Sequence, residues 1–176
     1  AVVLLLSAWT VQDRQYKAME RMALTSGSAV ASFVASNVAL QAADNATLPA
    51  DQRDWMPVEA FVKAAASDPN IQQITVVDAD NIIRGASDPA LIGQIYEAAK
   101  GEAVIERKPD ATVTASETAK GPGLRFVRPI TYAGREFGRV DVSLSKADLT
   151  EAATLTKLLL GALGAPLAPG KCRPRR

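Results

Sequence analysis

From Val11 to Ala43 no proline interrupts the chain, and Met19, Met22, Ser26, Val30, Phe33, Asn37 and Leu40 recur at spacings of three and four. That period places them on one stripe and predicts a long helix with a mainly apolar face. The small residues Ala23, Gly27, Ala29 and Ala31 leave room for a neighbouring helix to come close. A helix of this length needs tertiary or subunit support, because its apolar stripe would otherwise stay in water. Asn45 to Pro49 reads as its end. Asp54 is placed to cap a short second helix, with Pro57 in its first turn and Val58, Phe61, Val62 and Ala65 on the buried side.

Past the loop signal Ser67-Asp68-Pro69-Asn70, the period changes to that of strands. Ile71 to Val77 is rich in β-branched residues, and the polar turn Asp78-Ala79-Asp80-Asn81 leads straight into Ile82 and Ile83, predicting a hairpin. Leu91 to Ala99 offers one or two helical turns around Gly93. Val104-Ile105 and Thr112 to Ser116 read as strands, and Leu124 to Tyr132 pairs best with Phe137 to Leu144 across Ala133-Gly134-Arg135-Glu136. In the last of these, Val140, Val142 and Leu144 alternate with Arg139, Asp141 and Ser143, so one side packs and the other faces water. Pro129 cannot donate to a ladder and marks an edge or a bulge. Ser145 or Asp148 caps a terminal helix. The order of helices and strands predicts an α+β domain on an antiparallel sheet.

The two ends carry apolar stretches, Ala1 to Leu6 and Leu155 to Leu163, each shorter than the roughly 18–20 residues a membrane helix needs. Fragments of two membrane helices flanking the domain would look like this, with Trp9 at an interface. The division expected on this reading is residues 1–9, the end of a membrane helix; 10–150, a folded domain; and 151–176, a terminal helix running into a second membrane segment and a basic tail. A helix packed on the core or on another subunit is the other reading of each end. The chain has 20 Lys and Arg against 19 Asp and Glu, and Lys171, Arg173, Arg175 and Arg176 of the tail account for the surplus. This balance argues against a nucleic-acid binder.

The chemistry available is narrow. There is no histidine, and the single cysteine, Cys172, lies in the tail, which removes Ser/His and Cys/His catalytic pairs and most zinc sites. Asp78, Asp80 and Asn81 lack the ligand spacing and terminal glutamate of a calcium loop, and Gly121-Pro122-Gly123 lacks the Lys-Ser/Thr of a phosphate loop. No catalytic residues, cofactor or metal are expected, and the fragment does not read as an enzyme.

Three segments carry a family resemblance. Ile74-Thr75-Val76-Val77-Asp78 is followed by Ile82-Ile83-Arg84; Ser87-Asp88-Pro89 by Leu91-Ile92-Gly93-Gln94; and Gly123-Leu124-Arg125-Phe126-Val127-Arg128-Pro129-Ile130 by Gly138-Arg139-Val140-Asp141-Val142. In this order, behind a long helix, they resemble the extracytoplasmic PAS-like sensors called single-Cache or PDC domains, over roughly residues 11–149. The resemblance implies an antiparallel sheet with the long helix behind it and a small-molecule pocket on the other face. It implies a homodimeric receptor of the inner membrane with this domain outside the cytoplasm. A histidine kinase, a cyclase or a chemotaxis module would serve as its cytoplasmic output.

In the carboxylate-sensing branch of that family the late-strand arginine contacts the ligand, which here is Arg125, and Arg84 is the nearest match to a second arginine. Where the branch has a histidine this chain has Asp88, and beside the aromatic position, Tyr96, it has Glu97 instead of a lysine. Val127 of the same motif completes the candidate ligand-binding set. Arg125 and Arg84 together would clamp a carboxylate, while Asp88 and Glu97 suit an ammonium group, favouring an amino acid or other zwitterion over a polyanion. Arg128 points to the opposite strand face. The alternative is a ligand-free module that dimerises and transmits a signal.

Overall fold

The structure, a computed structural model, describes residues 2–118 and 120–146, with side chains at Arg14 and from Lys17 onward. Helix α1 runs unbroken from Val2–Thr47, so the division expected after residue 9 does not interrupt it. Helix α2 is Met56–Ala65; Trp55, not Asp54, stands at its N-cap position, and the Asp54 carboxylate accepts from the Met56 amide at 2.9 Å from one residue further out. Six strands follow: β1 (Ile71–Asp78), β2 (Ile83–Ala86), β3 (Val104–Lys108), β4 (Ala111–Thr118), β5 (Gly121–Tyr132) and β6 (Arg135–Ser145). The expected cap Ser145 is the last residue of β6, while Asp148, the terminal helix and the basic tail of residues 151–176 lie outside the described residues.

All strands pair antiparallel in the order β2-β1-β6-β5-β4-β3, so the long β5–β6 hairpin sits in the middle and β1 closes against β6 from the far end of the sequence. The hairpin turns on Ala133 and Gly134, both at positive φ (49° and 77°), as a tight two-residue connection requires. Pro129 falls where the β5–β6 register slips, so the missing donor coincides with a bulge.

Helix α1 covers β5 and β6, and α2 covers β2 and β1, all on one face of the sheet. The core lies between: Val34, Val38, Val58 and Val62 from the helices meet Ile74, Val76, Leu124, Phe126, Ile130, Val140 and Val142 from the strands. Each such side chain contributes about 1.5–3 kcal/mol by leaving water.

The stripe of Met22, Phe33 and Leu40 faces outward, 73%, 59% and 53% exposed, and is not the face that packs on the sheet. The buried face of α1 is built from Gly27, Ala31, Val34, Ala35, Val38 and Ala42, because the sheet approaches too closely for large side chains. At Gly27 an added Cβ would overlap the Phe126 ring. Gly27 and Ala31 thus admit the sheet, while Ala29 is exposed. By length and composition Lys17–Thr47 passes as a membrane span, an 18-residue window within it having a mean hydropathy of 1.3. Its residues from Gly27 to Ala43, however, supply the face that packs on β5 and β6.

Two further expectations change. Leu91 to Ala99 forms no α-helix: a 3-10 turn at Pro89–Leu91 ends where Ile92 turns to extended backbone, and Gly93 follows at a φ of 86°. The polar side of β6 is not wet either. Asp141 and Ser143 are 5% and 1% exposed, because the segment between β2 and β3 crosses over that face.

Candidate functional site

Alternation along β5 and β6 turns Arg125 and Val127, with Arg139, Asp141 and Ser143, away from the helices. In register, Arg125 lies opposite Ser143 on β6 and opposite Thr114 on β4, while Asp141 lies opposite Val127. Asp141 is therefore the diagonal neighbour of Arg125, within reach of a long side chain. Arg125 Nη1 meets Asp141 Oδ2 at 3.1 Å.

The second anchor comes from the crossing segment. Gly93 donates to the Ile83 carbonyl, Ile83 to that of Gln94 and Tyr96 to that of Asn81, which lays residues 93–96 along β2. After the exposed run Glu97 to Gly101, the chain is caught again where Ala115 donates to the Ala103 carbonyl at 2.9 Å. Glu102, just before that catch, reaches back over β4: its Oε1 is 3.1 Å from Arg125 Nη2, and its Oε2 accepts from the Thr114 hydroxyl at 2.6 Å. Arg125 is 15% exposed and lies between two carboxylates that are 7% and 14% exposed. Its Nε is buried and has no hydrogen-bond partner.

Tyr96 completes the cluster. Its hydroxyl donates to Asp141 Oδ2 at 2.7 Å, the Arg139 guanidinium lies 4.7 Å from its ring centre, and Arg139 in turn donates to Asn81 Oδ1. Beneath the segment, Val77, Ile83 and Ala86 pack with Leu91, Ile92 and Tyr96 as a small apolar floor. The arrangement presents two guanidiniums, two carboxylates and a phenol on one buried sheet face. Its charges balance, and its donors and acceptors are fixed by strands.

Burial pushes Asp141 above the ordinary carboxylate range and Glu102 adds to the rise, while Arg125 and the Tyr96 hydrogen bond oppose it. Tyr96 is pushed up to about 12, first by burial and then by the neighbouring Asp141 charge and the bond to it. Since its folded value lies above the ordinary 10, the folded state holds a proton that the unfolded chain has already lost. The stability this contributes is complete below pH 10 and disappears as pH rises through about 12. We expect the urea midpoint of the wild type to fall across that window and that of Tyr96→Phe to fall less. Equal slopes would show that Tyr96 ionises at its ordinary value.

Of the residues singled out in the sequence, Arg125, Val127 and Tyr96 come together. Arg84, Asp88 and Glu97 do not join them. The β1–β2 register slips between Val76 and Val77, so that Gly85 faces α2 and Arg84 is the extra residue of the bulge. Arg84 pairs with Asp78 at 2.6 Å and lies 5.5 Å from the Trp55 ring, on the helix side of the sheet, so the clamp of Arg84 with Arg125 does not form. Asp88 is exposed and caps the 3-10 turn by accepting from the Ala90 amide, and Glu97 is exposed on the crossing segment. Arg128 faces the helix side, as alternation requires, and pairs with Asp110.

The residues that sequence reasoning missed are Glu102, Thr114, Asp141 and Arg139. Alternation had put Asp141 and Arg139 on the right face. No periodic signal points to Glu102. Another groove, about 580 Å³, opens on the helix side between Arg21, Ser28 and Ser32 of α1 and Lys108 and Arg128 of the sheet. There Lys108 and Arg128 are already paired with Glu106 and Asp110. Among the described residues no group of three or more His, Cys, Asp or Glu is placed to hold a metal.

No protein-family model and no curated sequence matches the chain. Solved structures do share its fold. The sensor domain of DcuS from E. coli superposes with a TM-score of 0.53 at 16% identity, over 74% of this chain and 93% of that one. The sensor domain of the V. cholerae histidine kinase DctB gives 0.58 at 12% identity, over 84% of this chain and 58% of that one. An extracellular ligand binding receptor from Desulfohalobium retbaense gives 0.53 at 15%, over 78% and 25%. What is shared at these identities is architecture, and the chain has the α+β, PAS-like Cache fold of bacterial sensor domains, with a long N-terminal helix behind an antiparallel sheet.

Proposed function

We propose that this chain is the extracytoplasmic sensor domain of a membrane-bound receptor and that it binds a small zwitterion, such as an amino acid, on the sheet face carrying Arg125. The observation that supports the reading is the buried, charge-balanced cluster of Arg125, Asp141, Glu102, Arg139 and Tyr96 on the face that the helices leave open. A polyanion would meet two carboxylates there. A zwitterion meets both signs: its carboxylate is matched by the planar donors of Arg125, and its ammonium by Asp141 and the ring of Tyr96. Val127 supplies apolar contact beside them. Asp88 and Glu97, exposed and away from Arg125, are left to a rim role at most.

The test is a calorimetric screen of the folded domain against amino acids and small organic acids, repeated with Arg125→Lys on every hit. Lysine keeps the charge and loses the fork, so affinity should fall more than tenfold, worth about 1.4 kcal/mol or more. Unchanged affinity would remove Arg125 from the site. Silence across the whole panel would favour the ligand-free dimerisation module.

In the same reading the receptor is a homodimer whose subunits meet along the exposed stripe of Met22, Phe33 and Leu40. A ligand that favours one of two arrangements of that contact would shift the helices leading to the membrane. Phe33→Asp should move the sedimentation equilibrium toward monomer. A monomeric wild type with flanking helices intact would count against this interface.

A further inference from the structure

The geometry points to Glu102 as a built-in stand-in for the ligand carboxylate: it occupies Arg125 when the site is empty and is displaced when a ligand arrives, releasing the segment that crosses the sheet. The inference deepens the sensor reading and rests on it.

A guanidinium offers a carboxylate two parallel bonds along its Nε–Nη2 edge. On Arg125 that edge is half used. Glu102 Oε1 takes Nη2 at 3.1 Å, but its other oxygen is turned to the Thr114 hydroxyl at 2.6 Å, and Nε is left buried without a partner. A buried donor in that state carries a desolvation cost that a second carboxylate oxygen would remove. Asp141 holds the opposite edge, at Nη1, and stays in place because it belongs to β6. Glu102 belongs to no strand: the exposed run Glu97 to Gly101 precedes it, and Gly101 sits at a φ of 80°.

An incoming free carboxylate therefore finds a competitor that holds Arg125 through one oxygen, gains the unused Nε, and enters the space that the Glu102 carboxylate gives up. The charge count of the site is unchanged by the exchange. When Glu102 leaves, residues 97–102 are spanned between the Tyr96 bonds to Asn81 and Asp141 on one side and the Ala103 contact to Ala115 on the other. Binding is thereby coupled to release of that segment.

Acetate, the simplest alkyl carboxylate that can use both donors, serves as the probe. It is titrated into the wild-type domain, Glu102→Gln and Thr114→Val while the Arg125 Nε–H resonance is followed by NMR. Glu102→Gln keeps the shape and removes the competing charge, so acetate should saturate it at a concentration at least tenfold lower. Thr114→Val frees Glu102 without touching the charge on either partner and should give a smaller gain in the same direction. Exchange of the Ala115 amide, which donates to the Ala103 carbonyl next to Glu102, should quicken about tenfold in Glu102→Gln without acetate, and in the wild type on saturation with it. Acetate affinity that is unchanged or weaker in Glu102→Gln would overturn the proposal, as would an Ala115 amide that stays equally protected. The sensor reading fails separately, on a metabolite screen that finds no ligand for the wild type.

Discussion

Replacing Arg125 with alanine is expected to destabilise the domain by about 3–5 kcal/mol, since it leaves two buried carboxylates facing each other without their cation. Asp141 and Glu102 are 7% and 14% exposed at the side chain, and Arg125 is the cation that meets both. Without it, Asp141 retains the Tyr96 hydroxyl and Glu102 the Thr114 hydroxyl, neither of which neutralises a charge. The deficit should therefore depend on pH. Protonation of Asp141, already pushed upward by burial in the wild type, becomes easier still, so both proteins gain stability from this group on acidification and the variant should gain more. The double variant Arg125→Met with Glu102→Gln keeps volume and removes one of the stranded charges, and it should be more stable than Arg125→Ala. Urea unfolding of the three proteins at pH 5 and pH 8 measures all of this. An Arg125→Ala variant within 1 kcal/mol of wild type at both values would mean that the cluster is open to water.

The architecture was legible because its strongest signals are local. The β5–β6 hairpin shows in strict alternation and in a turn containing Gly134, and Pro129 announced its bulge by lacking a donor. Helix α1 was legible in extent but not in orientation. Its large apolar residues form a clean stripe, yet distance to the sheet decides which side is buried. At Gly27 and Ala31 only small residues fit against Phe126 and its neighbours. That spacing is a property of two elements together, invisible in either one.

The site divides along the same line. Arg125, Val127 and Tyr96 could be read because motif and alternation place them. Arg84 could not, because as the extra residue between Ile83 and Gly85 it turns to the other face, and a register slip leaves no mark in composition. Asp141 was read as wet, since alternation identifies a face and says nothing about what later crosses it. Glu102 had no signal at all: its importance comes from contacts to β4 and β5 made by an irregular segment.

The glycine that opens the last of the resembling segments, Gly138, carries the second large expectation: Gly138→Ala should cost about 3 kcal/mol or more. Its φ is 139°, a conformation that side chains rarely adopt, and an added Cβ would overlap the Val77 carbonyl oxygen and lie 3.0 Å from the Asp78 Cα and carbonyl carbon. These are backbone atoms of the paired strand, with Asp78 opposite Gly138 in register, so no rotamer change relieves the contact. Relief requires β1 and β6 to part at Asp78. That residue's carboxylate accepts from the Asp80 and Ile82 amides and pairs with Arg84, so the β1–β2 turn would loosen with it. Arg139 is the next residue along β6, and its stacking on Tyr96 ties the damage to the candidate site. Gly134→Ala separates the two contributions. Its φ of 77° is also positive, but a Cβ there meets nothing within 4 Å, so only the conformational cost, about 1 kcal/mol, should appear. Urea midpoints of the two variants, with m-values checked for equality, decide the matter. If Gly138→Ala is no worse than Gly134→Ala, the close approach of β1 to β6 at that point is wrong, and the glycine is there for its φ alone.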